Sequence, residues 1–252
     1  ASELARLVAE NKTSATAPLL IDAFTKQIAA VKKTPEQKYL LIRDVMELTT
    51  DKTQLGKLLD ELSDAPTFGA LKYAGKYLQD PQLKYPAAST VKDIAIRNPG
   101  IYGAEATQLM QAAIGSQAGA EADYQKEELR KHMAALPKGE GFKPLFNEKD
   151  LTGWKGLVAD PIKRGKMDAA TLAAEQVKAD AIMRAGWSVK NGVLVFSGHG
   201  ENLCTVKKYG DFEMVVDWKI QKDGDAGIYL RGTPQVQVWD TSRRDVGAEV
   251  GS

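Results

Sequence analysis

The stretch that decides the fold of the C-terminal part is DFEMVVDWKI at residues 211–220, followed by GIYLRG at 227–232 and PQVQVWD at 234–240. Apolar and polar residues alternate within these segments, and turn residues separate them. Such alternation is typical of strands that bury one face. The residues that would face a core in the first segment are Phe212, Met214, Val216, Trp218 and Ile220. The sequence therefore predicts a β-sheet across residues 211–240.

The opposite face of this predicted sheet is polar. Because strand side chains alternate between faces, Ile228 and Leu230 should face the core, and Tyr229 and Arg231 should project away from it. Trp239 shares the parity of the two glutamines of the third segment. The polar set on the three segments is Glu213, Asp217 and Lys219, then Tyr229 and Arg231, then Gln235 and Gln237. Acids, amides, a guanidinium and a phenol on one surface indicate sugar binding.

The same residues carry a resemblance to a known family. From Gly141 the chain reads GFKPLFNEKDLTGWKG, an Ala-rich helical insert, AGWSVKNGVLVFSG, LCTVKKYGDFEMVVDWKI, GDAGIYLRG and TPQVQVWD. This order and spacing resembles the 3-keto-disaccharide hydrolase domain over residues 141–252. The resemblance implies a concanavalin A-like jelly-roll sandwich, cleavage of glycosidic bonds, and export to a bacterial periplasm or cell surface. One departure is Glu148, in an exposed turn where the family usually has Gly.

Composition excludes several classes of protein. A chain of 252 residues with 43% hydrophobic and 27% charged residues is long enough for two domains. A net charge of +1 makes nucleic acid an improbable partner. No segment approaches the roughly 20 apolar residues of a membrane span. The single cysteine, Cys204, excludes an internal disulfide and a Cys-based zinc site.

Residues 1–140 have helical periodicity throughout. Residues 34–37, TPEQ, form a capping box with Pro at the first helical position. Short helices bounded by Pro cannot stand alone, so we expect them to stack as antiparallel pairs that resemble HEAT-type repeats. An irregular helical bundle is the alternative. The last helix, residues 122–136, is heavily charged, which predicts an exposed His132, and residues 137–141 are the predicted linker.

The predicted architecture is therefore a multidomain α and β protein. An α-helical, HEAT-like repeat domain at 1–140 precedes a β-sandwich at 141–252. Within the second domain, residues 168–185 predict a helix, and Asn191-Gly192 predicts the turn of a hairpin across residues 187–196. From Gly141 the chain supplies about six strands, whereas such a sandwich needs roughly eight. We therefore expect a remaining C-terminal fragment of the same domain as a partner.

The polar strand face is the candidate active site. Gln235-x-Gln237-x-x-Asp240 invites comparison with the acid-rich strand of retaining glucanases, where a bulge brings the last acid onto the same face. A neutral amide cannot form a glycosyl ester, so the two-carboxylate retaining mechanism is excluded at this strand.

The family resemblance implies a different reaction, in which a base removes the carbon 2 proton of a 3-keto sugar. The candidate catalytic residues are Arg231, Asp240, Glu213 and His199, the last in a Gly-flanked loop. The candidate substrate-binding residues are Gln235, Gln237, Tyr229, Trp239 and Asp217. Acids among them could hold a divalent cation. The expected partner is an oligosaccharide or oxidised glycoside.

Two other functions remain open at this point. The same fold and face serve non-catalytic carbohydrate-binding modules, because fold alone does not decide chemistry. In the second alternative the helical solenoid binds a protein partner, and the sandwich is a spacer.

Overall fold

A computed structural model describes residues 1–119, 121–232 and 234–240, and the chain divides into two compact units, residues 1–143 and 144–252. The described part of the first unit, called the helical unit, contains eight helices. They are α1 (Ser2–Glu10), α2 (Ala17–Ala30), α3 (Pro35–Met46), α4 (Lys52–Leu62), α5 (Phe68–Gly75), α6 (Lys84–Arg97), α7 (Ala104–Ser116) and α8 (Ala122–Ala135).

Local signals fix several of these helix starts. The Thr34 hydroxyl accepts a hydrogen bond from the Gln37 amide, and the Gln37 side chain accepts one from the Thr34 amide, so the predicted capping box is confirmed. Asp51 caps α4 and Thr67 caps α5. Pro86 lies in the first turn of α6, where its missing N–H has no helical partner to lose.

The helices pack in two layers. Odd-numbered helices contact one another in the order α1, α3, α5, α7, and even-numbered helices in the order α2, α4, α6, α8. Each odd helix also contacts the even helix that follows it. Stacked helical hairpins have this pairing, which gives one continuous core from Val8 to Leu129. The assignment to HEAT-type repeats stays a prediction.

The charged helix α8 packs against α6 and α7. Leu129 is fully buried, and Glu128 pairs with Lys92 of α6 at 3.2 Å. Burial disfavours the charged form of Lys92, but its carboxylate partners Asp93 and Glu128 outweigh this and raise its pKa. The prediction of an exposed His132 is wrong. Its ring is half-buried, and desolvation lowers its pKa.

The predicted linker ends inside the helical unit. The Phe142 amide donates to the Tyr102 carbonyl at 2.7 Å, and Gly141 forms an antiparallel bridge with Gly103. The Phe142 ring stacks on Phe68 with centroids 4.2 Å apart. These contacts extend the helical unit to residue 143, three residues past the expected boundary at 140.

The second unit, called the C-terminal unit, is built from short elements. Its described strands form three antiparallel pairs, β1 with β4, β2 with β3, and β5 with β6. The elements are β1 (Trp154–Gly156), α9 (Pro161–Gly165), α10 (Ala169–Gly186), β2 (Trp187–Lys190), β3 (Val193–Phe196), β4 (Leu203–Thr205), β5 (Asp225–Tyr229) and β6 (Gln235–Trp239). Among all described residues, no helix is long and apolar enough to span the bilayer.

Two predictions for this unit are confirmed. The Ala-rich insert is helix α10, whose Asp180 carboxylate accepts the Gly156 amide of β1 at 2.8 Å. The hairpin β2–β3 pairs Lys190 with Val193 across the turn Asn191-Gly192. Both turn residues have positive φ, 51° and 76°, as a type I′ turn requires.

The prediction of a strand at residues 211–220 is wrong. This segment has no regular secondary structure, because none of the described strands pairs with it. Phe212, Val216 and Trp218 are 43%, 48% and 50% exposed, and Met214 is half-buried. Trp154 and Trp187, on the short strands β1 and β2, are half-buried as well. A β-containing C-terminal region is thus present, whereas its two facing sheets stay a prediction.

Candidate functional site

The candidate site lies on the hairpin β5–β6. Its register pairs Tyr229 with Gln235, Gly227 with Gln237 and Asp225 with Trp239. Residues directly opposite in an antiparallel pair lie on the same face. One face therefore carries five polar or aromatic side chains, here called the hairpin polar face, namely Asp225, Tyr229, Gln235, Gln237 and Trp239.

The predicted alternation holds at the end of β5 and only partly on β6, where Val236 of the expected core face is 49% exposed and Gln237 of the polar face is half-buried. Tyr229 is 54% exposed, whereas Ile228 and Leu230 are half-buried. On the second strand Val238 is buried. Trp239 shares the face of the two glutamines, as its parity indicates, and is half-buried.

Asp225 is a candidate that the sequence pattern did not single out. Its Oδ1 accepts a hydrogen bond from Gln237 Nε2 of the facing strand. The carboxylate is thereby held on the hairpin polar face, and the residue is exposed. The strand was expected to begin at Gly227, two residues too late. The same parity extended back from Tyr229 through Gly227 would have included Asp225.

Gln235 lies across Gly227. A Cβ atom at Gly227 would come within 1.8 Å of Gln235 Nε2 and 2.5 Å of its Cδ. No side chain larger than hydrogen fits there without moving the amide. Glycine at this position therefore lets the Gln235 side chain lie flat over the middle of the hairpin polar face.

Arg231 is not on the strand. β5 ends at Tyr229, and Leu230 closes the turn by donating its amide to the Pro234 carbonyl at 2.7 Å. Arg231 has a φ of 52°, which is uncommon for a residue with a Cβ atom. It is exposed at the tip of the hairpin. The expected alternation fails here because the chain turns before Arg231.

Asp240 supports the start of the hairpin. Its Oδ2 accepts the Asp223 amide at 2.7 Å, and its own amide donates to the Gly224 carbonyl. The β6 register is continuous from Gln235 to Trp239, so no bulge there moves Asp240 onto the parity of the glutamines. Asp240 therefore has the opposite parity, and its carboxylate holds the turn before β5.

The remaining candidates lie outside this hairpin. Glu213 and Asp217 are exposed in the segment 211–220. His199 is exposed in the loop between β3 and β4, where its amide donates to Ser197 Oγ at 3.4 Å. In the described part of the chain neither segment pairs with β5 or β6 as a strand. Over those same residues, no three His, Cys, Asp or Glu side chains form a group able to hold a metal ion.

Comparison with known proteins supports the domain assignment. Residues 141–252 match the model of a family described as the 3-keto-alpha-glucoside-1,2-lyase-like domain. This is the range that carries the motif resemblance, and it supports a carbohydrate-related function for the C-terminal region. No curated protein and no solved structure matches the chain.

Proposed function

We propose that residues 141–252 cleave 3-keto-glycosides by elimination followed by hydration, with the hairpin polar face as the sugar-binding surface. The observation that carries this proposal is that Asp225, Tyr229 and two glutamines share one face, on which Asp225, Tyr229 and Gln235 are exposed and Gln237 is half-buried. The family match points to the same class of substrate.

The chemistry follows from the oxidised sugar. A carbonyl at carbon 3 acidifies the hydrogen at carbon 2, so a base can remove that proton and leave an enolate. The enolate electrons then form the double bond between carbons 1 and 2 and expel the group at carbon 1, which takes up a proton. Water adds to carbon 1 in the second stage. The reaction requires a base at carbon 2 and a donor at the 3-oxo group.

Asp225 is the proposed base. Exposure leaves its second oxygen accessible to substrate, and Gln237 fixes the carboxylate by a hydrogen bond to the first. Asp240, Glu213, Asp217 and His199 are the other candidate bases. Asp240 is the weakest of these on geometry, because the Asp223 amide already occupies its Oδ2.

The amides and the guanidinium take the binding roles. Gln235 and Gln237 can donate to sugar hydroxyls, Arg231 can stabilise the developing oxyanion, and Tyr229 offers a ring face to the sugar. Trp239 is the proposed platform beside them. A divalent cation is a further candidate, since carboxylates are hard ligands, but no step is derived through it.

The test compares matched sugars. The chain should release product from a 3-keto-glucoside and not from the unoxidised glucoside, and deuterium at carbon 2 should slow the release. Asp225→Asn should lower the rate about 10²- to 10⁴-fold, the usual contribution of a general base. Asp223→Asn, two residues earlier and outside the strand, is the control and should keep the rate. Equal rates on both sugars would contradict the elimination mechanism.

A carbohydrate-binding module is the second candidate function, favoured by a face that carries two amides and two aromatic rings beside a single carboxylate. Binding of the unoxidised glucoside without turnover of either sugar would support it.

For the helical unit we propose HEAT-like stacking and a role as an interaction platform. A pull-down with the full chain, compared with a chain mutated on the exposed face of α2 at Leu19, tests this role.

The whole chain is proposed to act in the periplasm or at the cell surface, which cell fractionation tests.

A further inference from the structure

The helical unit contains an open cleft far along the sequence from the hairpin polar face. Its volume is about 500 Å³, and it lies where the α5–α6 connection and the start of α6 face the end of α7. Leu78, Pro81, Tyr85 and Ala112 contribute its apolar walls. Small-molecule sites in proteins commonly have volumes of this order.

One buried donor lines this cleft without an acceptor. Gln117, the C-cap residue of α7, is only 6% exposed. Its Nε2 is buried and has no hydrogen-bond partner in the part of the chain that the structure describes. A buried amide N–H that lacks an acceptor is unfavourable and uncommon. Gln117 is a lining residue of the cleft, so a ligand oxygen there would supply the missing acceptor once the amide turns toward the opening.

The same cleft carries uncompensated positive charge. Lys84 lines it, and its Nζ lies 4.9 Å from the centroid of the Tyr85 ring. No Asp or Glu is among the lining residues, and Lys84 forms no ion pair with any other described residue. Tyr85 is 46% exposed and adds an aromatic surface next to the ammonium group.

We propose that this cleft binds a small carboxylate with an apolar or ring-shaped body. Lys84 would pair with the negative charge, and Gln117 Nε2 would donate to a carboxylate oxygen. The body of the ligand would contact Tyr85, Leu78 and Pro81. A neutral ligand would leave the ammonium unpaired, and an inorganic anion would leave the apolar walls uncovered.

The experiment is a titration of the full chain labelled with nitrogen-15, followed at the side-chain amide resonance of Gln117. Two matched ligand pairs are used, N-acetyl-leucine with its amide and glucuronate with glucose, and sulfate is the plain anion. A ligand of this size should bind with a Kd on the order of 1 mM. The proposal is supported if a carboxylate shifts the Gln117 resonance and its neutral partner leaves that resonance unchanged. The responding pair shows whether the source is a peptide end or a sugar acid.

Variants complete the test. Lys84→Met keeps the aliphatic stem and should weaken carboxylate binding at least about tenfold. Gln117→Met should weaken carboxylate binding as well. In this variant binding is followed at the Tyr85 resonances, because the Gln117 signal is lost. Lys76→Met is the matched control, because Lys76 also lies over a tyrosine ring, Tyr73 at 4.5 Å, outside the cleft. Equal shifts from neutral partners or from sulfate, no shift at all, or unchanged binding by Lys84→Met would overturn the proposal.

Discussion

The helical unit and the C-terminal unit place their apolar side chains in opposite environments. In the helical unit Phe24, Leu58 and Leu71 are fully buried in one core that runs through all its described helices. In the C-terminal unit the large apolar residues Phe212, Val216 and Trp218 are about half exposed. The buried hydrophobic residues described there are Val158, Ala179, Met183 and Val238.

The difference reflects how helices and strands satisfy the hydrogen-bonding groups of their backbones. A helix makes its hydrogen bonds within itself, so neighbouring helices need only match apolar stripes. A strand needs another strand for its hydrogen bonds before its alternating face can be buried. The described residues of the C-terminal unit form three such pairs, and the segment 211–220 joins none of them.

The largest expected effect is in the helical core. Leu58→Ala should lower the free energy of unfolding by about 2–5 kcal/mol, because it leaves a cavity among fully buried neighbours. Trp218→Ala should cost less than about 1 kcal/mol, because the ring is half exposed. Urea unfolding followed by circular dichroism measures both. A comparable cost for Trp218→Ala would show that segment 211–220 is packed in a core.

The next effect concerns the contact between α10 and β1. Asp180→Ala removes the acceptor of the Gly156 amide and of Gln176 Nε2, and should cost about 1–3 kcal/mol. Asp180→Asn keeps an oxygen and should cost less than half as much. Hydrogen exchange at the Gly156 amide provides the measurement. Unchanged protection in Asp180→Ala would mean that the strand is held by β4 alone.

A smaller effect, of opposite sign, is expected in the turn at residues 147–150. Glu148 has a φ of 62°, and the Asn147 side chain accepts the amides of Lys149 and Asp150. Glu148→Gly should raise stability by about 1 kcal/mol, because glycine adopts this conformation without steric cost. Glu148→Ala, which keeps the Cβ atom, is the control and should bring no gain. A shift in the thermal unfolding midpoint reports the result.

The smallest expected effects concern the pH dependence of stability, which should differ between the two units. Burial lowers the pKa of His132, so the stability it contributes to the helical unit is complete above its unfolded value of about 6.5 and is lost as pH falls. The Thr171 amide lowers the pKa of Asp168, the cap of α10, so that contribution persists until pH falls below about 3.9. The helical unit should therefore weaken first.

Amide exchange followed separately in α8 and α10 between pH 7 and pH 3 distinguishes the two responses. His132→Gln should remove the pH dependence of amide protection in α8 without changing that in α10. Simultaneous loss of protection in both helices would contradict independent titration.

The site was only partly predictable for identifiable reasons. The shared face of Tyr229, Gln235 and Gln237 follows from period-two alternation and is present in the hairpin. Arg231 was misplaced because the turn begins one residue before it. Asp225 was missed because the strand starts earlier than the aliphatic pattern, and its bond with Gln237 joins residues on two strands.

The sequence by itself determined the features that depend on near neighbours. These are the capping box at Thr34, the helical periodicity of residues 1–140, the helix of the Ala-rich insert, the Asn191-Gly192 turn and the domain resemblance from residue 141. Each is fixed within a few residues by hydrogen bonding, backbone sterics or motif spacing. The tertiary structure alone decided which strands pair, that segment 211–220 pairs with none described, and that Gln117 and Lys84 meet at one cleft. Those outcomes depend on contacts between residues distant in sequence, which a local pattern does not encode.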